Sequence, residues 1–194
     1  MFDMNDRFSG VSLWLMPPQK ERDALRKVID SIAEAQHSDA FDPHITLASL
    51  SSGTSTEGWT DAIVARLRHH GPILATFDKV RAGNTFFHSV LADIQWDEKL
   101  FAFRTDVVAS ITQGRAADPK LKSYWYPHVS FFYGSPPQTV KEAIVRTVED
   151  TGDEETCTIA KIKQFEANEV WIVQTDGHVK EWKVLDQVTA PAAA

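Results

Sequence analysis

Apolar positions change their period repeatedly along this chain, and each change marks an element. Residues 11–16 form a short apolar run stopped by Pro17-Pro18, which reads as a buried strand. Leu25, Val28, Ile29 and Ile32 then recur at helical spacing and predict an amphipathic helix over 21–35. A Ser/Gly/Thr stretch separates it from a second helix, carried by Trp59, Ile63, Val64 and Leu67 and stopped at Gly71-Pro72. Residues 73–81 and 85–95 read as a hairpin turning at Ala82-Gly83-Asn84. A helix over 97–112 turns Leu100, Phe103, Val107 and Ile111 inward, and a polar loop over 114–123 leads to a strand over 126–134. A helix over 140–148 and three strand-like runs, 156–165, 169–175 and 179–188, complete the chain, the last two runs meeting at Asp176-Gly177. Hairpins among helices, with no glycine-rich phosphate loop, predict an α+β fold with antiparallel sheets and outer helices.

Two of the predicted strands repeat one pattern. Tyr126-Pro127-His128-Val129-Ser130-Phe131 is matched by Asp42-Pro43-His44-Ile45-Thr46-Leu47, so His44 corresponds to His128 and Thr46 to Ser130. Side chains alternate along a strand, which puts each histidine and its hydroxyl on one face. A lone histidine in such a place is readily a core side chain bonded to a carbonyl. Two copies, less than half a chain apart, point instead to two related lobes that each lend a histidine and a hydroxyl to a shared cleft.

Charge and the remaining residues narrow the classes. A net charge of −7 disfavours a protein that coats long nucleic acid, but leaves room for a small phosphorylated substrate in a local pocket. No apolar run approaches the roughly 20 residues of a membrane-spanning helix, so no membrane partner is expected. The first seven residues are polar with two acids, unlike a signal or transit peptide. Cys157 is the single cysteine, which excludes an intrachain disulfide and a cysteine metal cluster and suits a reducing compartment, cytosol or nucleus. His37, His69, His70, His88 and His178 show no metal-framing spacing, and His69-His70 read as a charged cap at a helix end. No Gly-x-Ser-x-Gly elbow supports a nucleophilic hydrolase.

The paired Pro-His-Ile-Thr-Leu and Pro-His-Val-Ser-Phe motifs resemble those of the 2H phosphoesterase superfamily, and within it the fungal and plant cyclic phosphodiesterases. Ser12-Leu13-Trp14-Leu15-Met16-Pro17-Pro18, Gly83-Asn84-Thr85-Phe86-Phe87, Tyr133 and the ending Lys180-Glu181-Trp182-Lys183-Val184-Leu185 are similar too, so the resemblance runs over about 11–188. It implies one bilobal catalytic domain over 1–194, with approximate two-fold symmetry, lobes discontinuous in sequence and the motif strands lining a central cleft. It further implies a monomer acting on a small cyclic-phosphate nucleotide, with no cofactor and no metal. The implied reaction opens ADP-ribose 1″,2″-cyclic phosphate to the 1″-phosphate, a by-product step of tRNA splicing, and nucleoside 2′,3′-cyclic phosphates to 2′-phosphates.

Such a reaction needs a group to take a proton from water, another to protonate the departing ribose oxygen, and donors for the non-bridging oxygens. Imidazole, with an ordinary pKa of about 6.5, does either proton task. His44 and His128 are the expected acid–base pair, with Thr46 and Ser130 as the phosphate clamp. Which histidine is the base depends on substrate orientation.

By resemblance Trp14, Phe87 and Tyr133 fall near the cleft, where they stack on base or ribose or else belong to the core. Tyr133 has the opposite parity to His128 and Ser130, so it enters the site only if the strand twists or ends there. His88 stands where plant members carry glutamine, and the cysteine pairs of the plant proteins are missing, so their redox control is not expected. Two rivals remain: an RNA-end-processing member, ligase-like or exonuclease-like, and a module that binds nucleotide without turnover.

Overall fold

The computed structural model describes residues 9–112, 125–149 and 157–190; the polar loop expected over 114–123 lies outside them. Among the described residues eight strands form one antiparallel sheet in the order β6-β3-β4-β5-β2-β1-β7-β8. In chain order the elements are β1 (Val11–Met16), α1 (Gln19–Gln36), β2 (Ile45–Leu50), α2 (Trp59–His70), β3 (Ile73–Thr85), β4 (His88–Ile94) and α3 (Glu98–Ile111). They continue with β5 (His128–Phe132), α4 (Gln138–Val148), β6 (Gln164–Ala167), β7 (Glu169–Gln174) and β8 (Lys183–Thr189).

β1 is covered on both faces, which is why its sequence is apolar at almost every position instead of alternating. Val11, Leu13 and Leu15 join the main core, while Trp14 and Met16 pack with Trp171 and Val173 in a second cluster. α1 buries the predicted stripe, Leu25, Ile29 and Ile32. α3 begins at Asp97, whose carboxylate accepts the Leu100 N–H at 2.8 Å.

The units β1–α1–β2 and β4–α3–β5 are alike: each pairs two antiparallel strands across an intervening helix. Their second strands, β2 and β5, carry the repeated motif and lie side by side at the middle of the sheet. The two expected lobes are therefore the halves β6-β3-β4-β5 and β2-β1-β7-β8 of a continuous α+β sheet. Within the sheet one ladder pair, Ile45 with Val129, links the two halves.

Three local expectations shift. The β3–β4 hairpin does not turn at Ala82-Gly83-Asn84: β3 runs on to Thr85, and the turn falls at Phe86-Phe87. Gly83 instead marks a close approach, since a Cβ there would lie 1.8 Å from the His88 carbonyl oxygen. The run over 156–165 is not one strand. Ile159 and Ile162 exchange backbone hydrogen bonds around Ala160 and Lys161, both at positive φ (52° and 64°), a tight turn without the usual Gly or Asn signal. The run over 179–188 opens with a 3₁₀ turn, Val179–Glu181, before β8 starts, and the Glu181 carboxylate accepts the His178 N–H at 2.7 Å.

Candidate active site

Each motif histidine is fixed by the same local device. The Nδ1–H of His44 donates to the carbonyl of Asp42 at 2.6 Å, and that of His128 to the carbonyl of Tyr126 at 3.1 Å. In both cases the acceptor lies two residues back, across the proline. Proline holds the residue before it extended, which presents that carbonyl to the ring. With Nδ1–H engaged, the neutral imidazole keeps its lone pair on Nε2.

His44, Thr46, His128 and Ser130 line one cavity of about 350 Å³, together with Trp14, Phe87 and Tyr133. The alternation argument thus places both histidine–hydroxyl pairs on one surface. The Ser130 hydroxyl donates to the Phe87 carbonyl at 3.3 Å.

The three aromatics occupy distinct positions. Trp14 is buried, and its ring stacks on the His44 imidazole at 3.7 Å with an 8° interplanar angle, so one face is spent on the histidine. Tyr133 enters the site because β5 ends at Phe132, releasing it from strand parity. It stacks on Phe41 at 3.8 Å, and burial raises its phenol pKa further above the ordinary value, so it stays protonated. Phe87 is half-buried, near-parallel to Trp182 at 6.0 Å and edge-on to Tyr133 at 5.2 Å.

Other cavity residues come from elements that strand patterning does not connect to the motifs. Trp125 donates its indole N–H to the Thr46 carbonyl at 2.9 Å. The buried Arg104 lies over its ring at 4.8 Å and donates Nε–H to the Leu47 carbonyl at 2.9 Å. This guanidinium brings positive charge to the cavity wall. Ser12 and Thr175, linked through their hydroxyls at 3.4 Å, form part of the same wall. Trp182 lines it too, with a buried indole N–H that has no hydrogen-bond partner. His88, which stands where plant members carry glutamine, lies 4.9 Å from the His128 ring, centroid to centroid.

Burial pushes His44 down to about 3; the Asp42 carbonyl opposes this, and nearby His128 adds to it. Burial likewise pushes His128 down to about 4, opposed by the Tyr126 carbonyl and Asp93 and assisted by His88 and Arg81. Both rings are therefore neutral in the free protein at neutral pH. An opposite charge placed beside either ring would raise its pKa again.

The same shifts bear on stability. Between pH 6.5 and about 4 the unfolded chain protonates these histidines and the folded one does not, so stability falls as pH is lowered through that window. For His128 the loss from pH 7 to pH 5 is about 2 kcal/mol. Urea midpoints at the two pH values are expected to differ less in His128→Gln than in the wild type. An equal difference would show that His128 is not held neutral by the fold.

Among the described residues the one group of three side chains spaced to share a metal ion is His69, His70 and Asp106, with donor atoms within 4.8 Å of one another. None of them lines the cavity. His70 Nε2 lies 2.8 Å from the Asp106 carboxylate, so the histidine expected as a cap also bridges α2 to α3.

Comparison with known proteins identifies the family. A model of the family described as "Cyclic phosphodiesterase-like protein" matches residues 9–190. The chain is 26% identical, over 90% of its length and 96% of the relative's, to a 2′,3′-cyclic-nucleotide 3′-phosphodiesterase of Neurospora crassa. In fold it is similar to TT0787 of Thermus thermophilus (TM-score 0.59, 12% identity, 93% of this chain and 97% of that one). It is also similar to LigT of E. coli (TM-score 0.54, 12% identity, 94% and 97%). With the family matched over nearly its whole described length and both histidine motifs facing one cavity, the chain belongs to the cyclic phosphodiesterase-like proteins, of the 2H phosphoesterases.

Proposed function

We propose that this protein is a cyclic phosphodiesterase that opens nucleoside 2′,3′-cyclic phosphates to 2′-phosphates. In the finer reading it opens ADP-ribose 1″,2″-cyclic phosphate to ADP-ribose 1″-phosphate, the by-product step of tRNA splicing. The observation that carries the reading is the pair of histidines, each tethered through Nδ1 by its own i−2 carbonyl and each lining one cavity with its own hydroxyl.

With the cyclic phosphate between them, one neutral Nε2 takes a proton as the water oxygen bonds to phosphorus. The other imidazole, protonated in the complex, gives its proton to the ribose oxygen as the P–O bond breaks. Thr46 and Ser130 donate to the non-bridging oxygens as charge shifts onto them. Arg104 adds attraction for the anion from the wall. The name of the Neurospora crassa relative, a 2′,3′-cyclic-nucleotide 3′-phosphodiesterase, supports the same reaction class. The site's chemistry needs no cofactor or metal, and a single chain supplies every group in it.

Turnover of adenosine 2′,3′-cyclic phosphate and of ADP-ribose 1″,2″-cyclic phosphate, measured with and without EDTA, tests the proposal. Equal rates with and without chelator are expected. Loss of activity that added metal restores would sink the two-histidine mechanism. Binding of a cyclic phosphate that is never turned over would establish the module that only binds.

A further inference from the structure

The last turn of α2 carries two consecutive histidines that the mechanism does not use. His70 is packed on two sides and hydrogen-bonded on a third. Its ring meets the buried Phe103 edge-on at 5.6 Å and His69 edge-on at 4.9 Å, and its Nε2 lies 2.8 Å from a carboxylate oxygen of Asp106. The His70 side chain is 11% exposed and that of Asp106 44%, while His69 stands in solvent.

The helices hold this corner in a fixed register. Arg66 donates Nε–H to the Ser110 hydroxyl at 2.8 Å, one turn before the His70–Asp106 contact on α2 and one turn after it on α3. Beyond the end of α2, Lys99 at the start of α3 donates to the Pro72 carbonyl at 2.7 Å. The three contacts step in opposite directions along the two helices, which therefore run antiparallel here. The carboxylate of α3 is thus set against the carbonyl end of α2, where the helix dipole favours a cation.

Two imidazoles and a carboxylate are the donor set of a borderline transition-metal ion rather than of magnesium or calcium, which take oxygen ligands. A tetrahedral zinc ion about 2.0–2.1 Å from each ligand atom keeps those atoms about 3.3 Å apart. His70 and Asp106 already stand near that spacing, and all three donor atoms lie within 4.8 Å of one another. Closing the remainder needs only a swing of the exposed His69 ring. A plain helix cap would need neither the second imidazole nor a carboxylate from the neighbouring helix.

We propose that His69, His70 and Asp106 bind a divalent transition-metal ion, zinc in the first instance, which staples the end of α2 to α3. One carboxylate and two neutral imidazoles leave a dication with a single net charge and an open position for water. The ion lies outside the catalytic cavity and takes no part in turnover. Chelation therefore lowers the melting temperature of a zinc-loaded sample while the rate at moderate temperature stays the same.

Zinc titration of the metal-free, tag-free full chain by isothermal calorimetry tests the site in wild type, His69→Gln, Asp106→Asn and His128→Gln. Loss of a group that merely supports a metal ligand costs about 10–100-fold in affinity, so loss of a ligand is expected to weaken binding at least about tenfold. His69→Gln and Asp106→Asn should each show that loss, and His128→Gln should bind zinc as the wild type does. Zinc at 100 times its Kd should raise the wild-type melting temperature by about 5–10 °C and leave that of His69→Gln unmoved. His69 is exposed, so its replacement should not change the metal-free melting temperature. Magnesium should give neither signal.

Equal zinc affinity in wild type and His69→Gln, or no binding by the wild type, would overturn the proposal. So would a site lost only in His128→Gln, which would put the ion in the catalytic cavity. Should Asp106→Asn fail to fold because His70 loses its partner, His69→Gln alone decides.

Discussion

His128→Ala is expected to lower kcat on a nucleoside 2′,3′-cyclic phosphate at least about 100-fold, and His44→Ala to do the same, since one acid or base transfer contributes ~10²–10⁴-fold. KM is expected to change far less, because Thr46, Ser130 and Arg104 also line the cavity and remain to hold an anion. The double variant should lose much less than the product of the single losses, since the two rings act on one transition state. Steady-state kinetics on variants with wild-type circular dichroism make the measurement. A loss below tenfold for either histidine would remove it from the proton-transfer pair.

Trp14→Ala is expected to cost about 3–5 kcal/mol of stability, the range for truncating a large buried aromatic. A side chain serving only as a stacking platform for substrate would leave stability almost unchanged. Here the indole is buried and stacked on His44, so its removal opens a void beside that ring and admits water to it. The second readout follows from the cause of the His44 shift. Burial is the largest contribution holding that ring at about 3, so its pKa should rise toward the ordinary value in Trp14→Ala. Trp14→Phe keeps an aromatic face and should preserve most of both properties. Urea denaturation and histidine NMR titration check the pair, and a stable variant with an unshifted His44 would refute the account.

Much of the site could be read from sequence because its key geometry is local. Strand alternation puts His128 with Ser130 and His44 with Thr46, and the proline before each histidine sets the carbonyl that fixes the ring. None of this needs knowledge of the rest of the fold. Arg104, Trp125, Trp182, Ser12 and Thr175 were not legible as site residues, because they come from a helix, a loop, a strand start and the last hairpin. Only tertiary packing brings them together. Trp14 was placed near the cleft by resemblance, yet no pattern in β1 could say that its partner is His44.

The fold was legible where periodicity was strong, in α1, β1, α3 and the motif strands. It was misread where backbone conformation departs from residue preference. Ala160 and Lys161 form a turn with left-handed backbone that neither residue advertises. Gly83, a good turn residue, serves to let two strands approach instead.

The single pair Ile45–Val129 at the seam has a consequence for how activity is lost. One motif histidine belongs to each half of the sheet, and each half is knitted internally by long ladders while a single ladder pair spans the middle, where packing and bonds such as Arg104 to the Leu47 carbonyl hold the halves together. Neither half holds both motif histidines. One hydrophobic core underlies both halves, so disorder that starts in either one separates the two histidines and is expected to end activity before the whole sheet is lost.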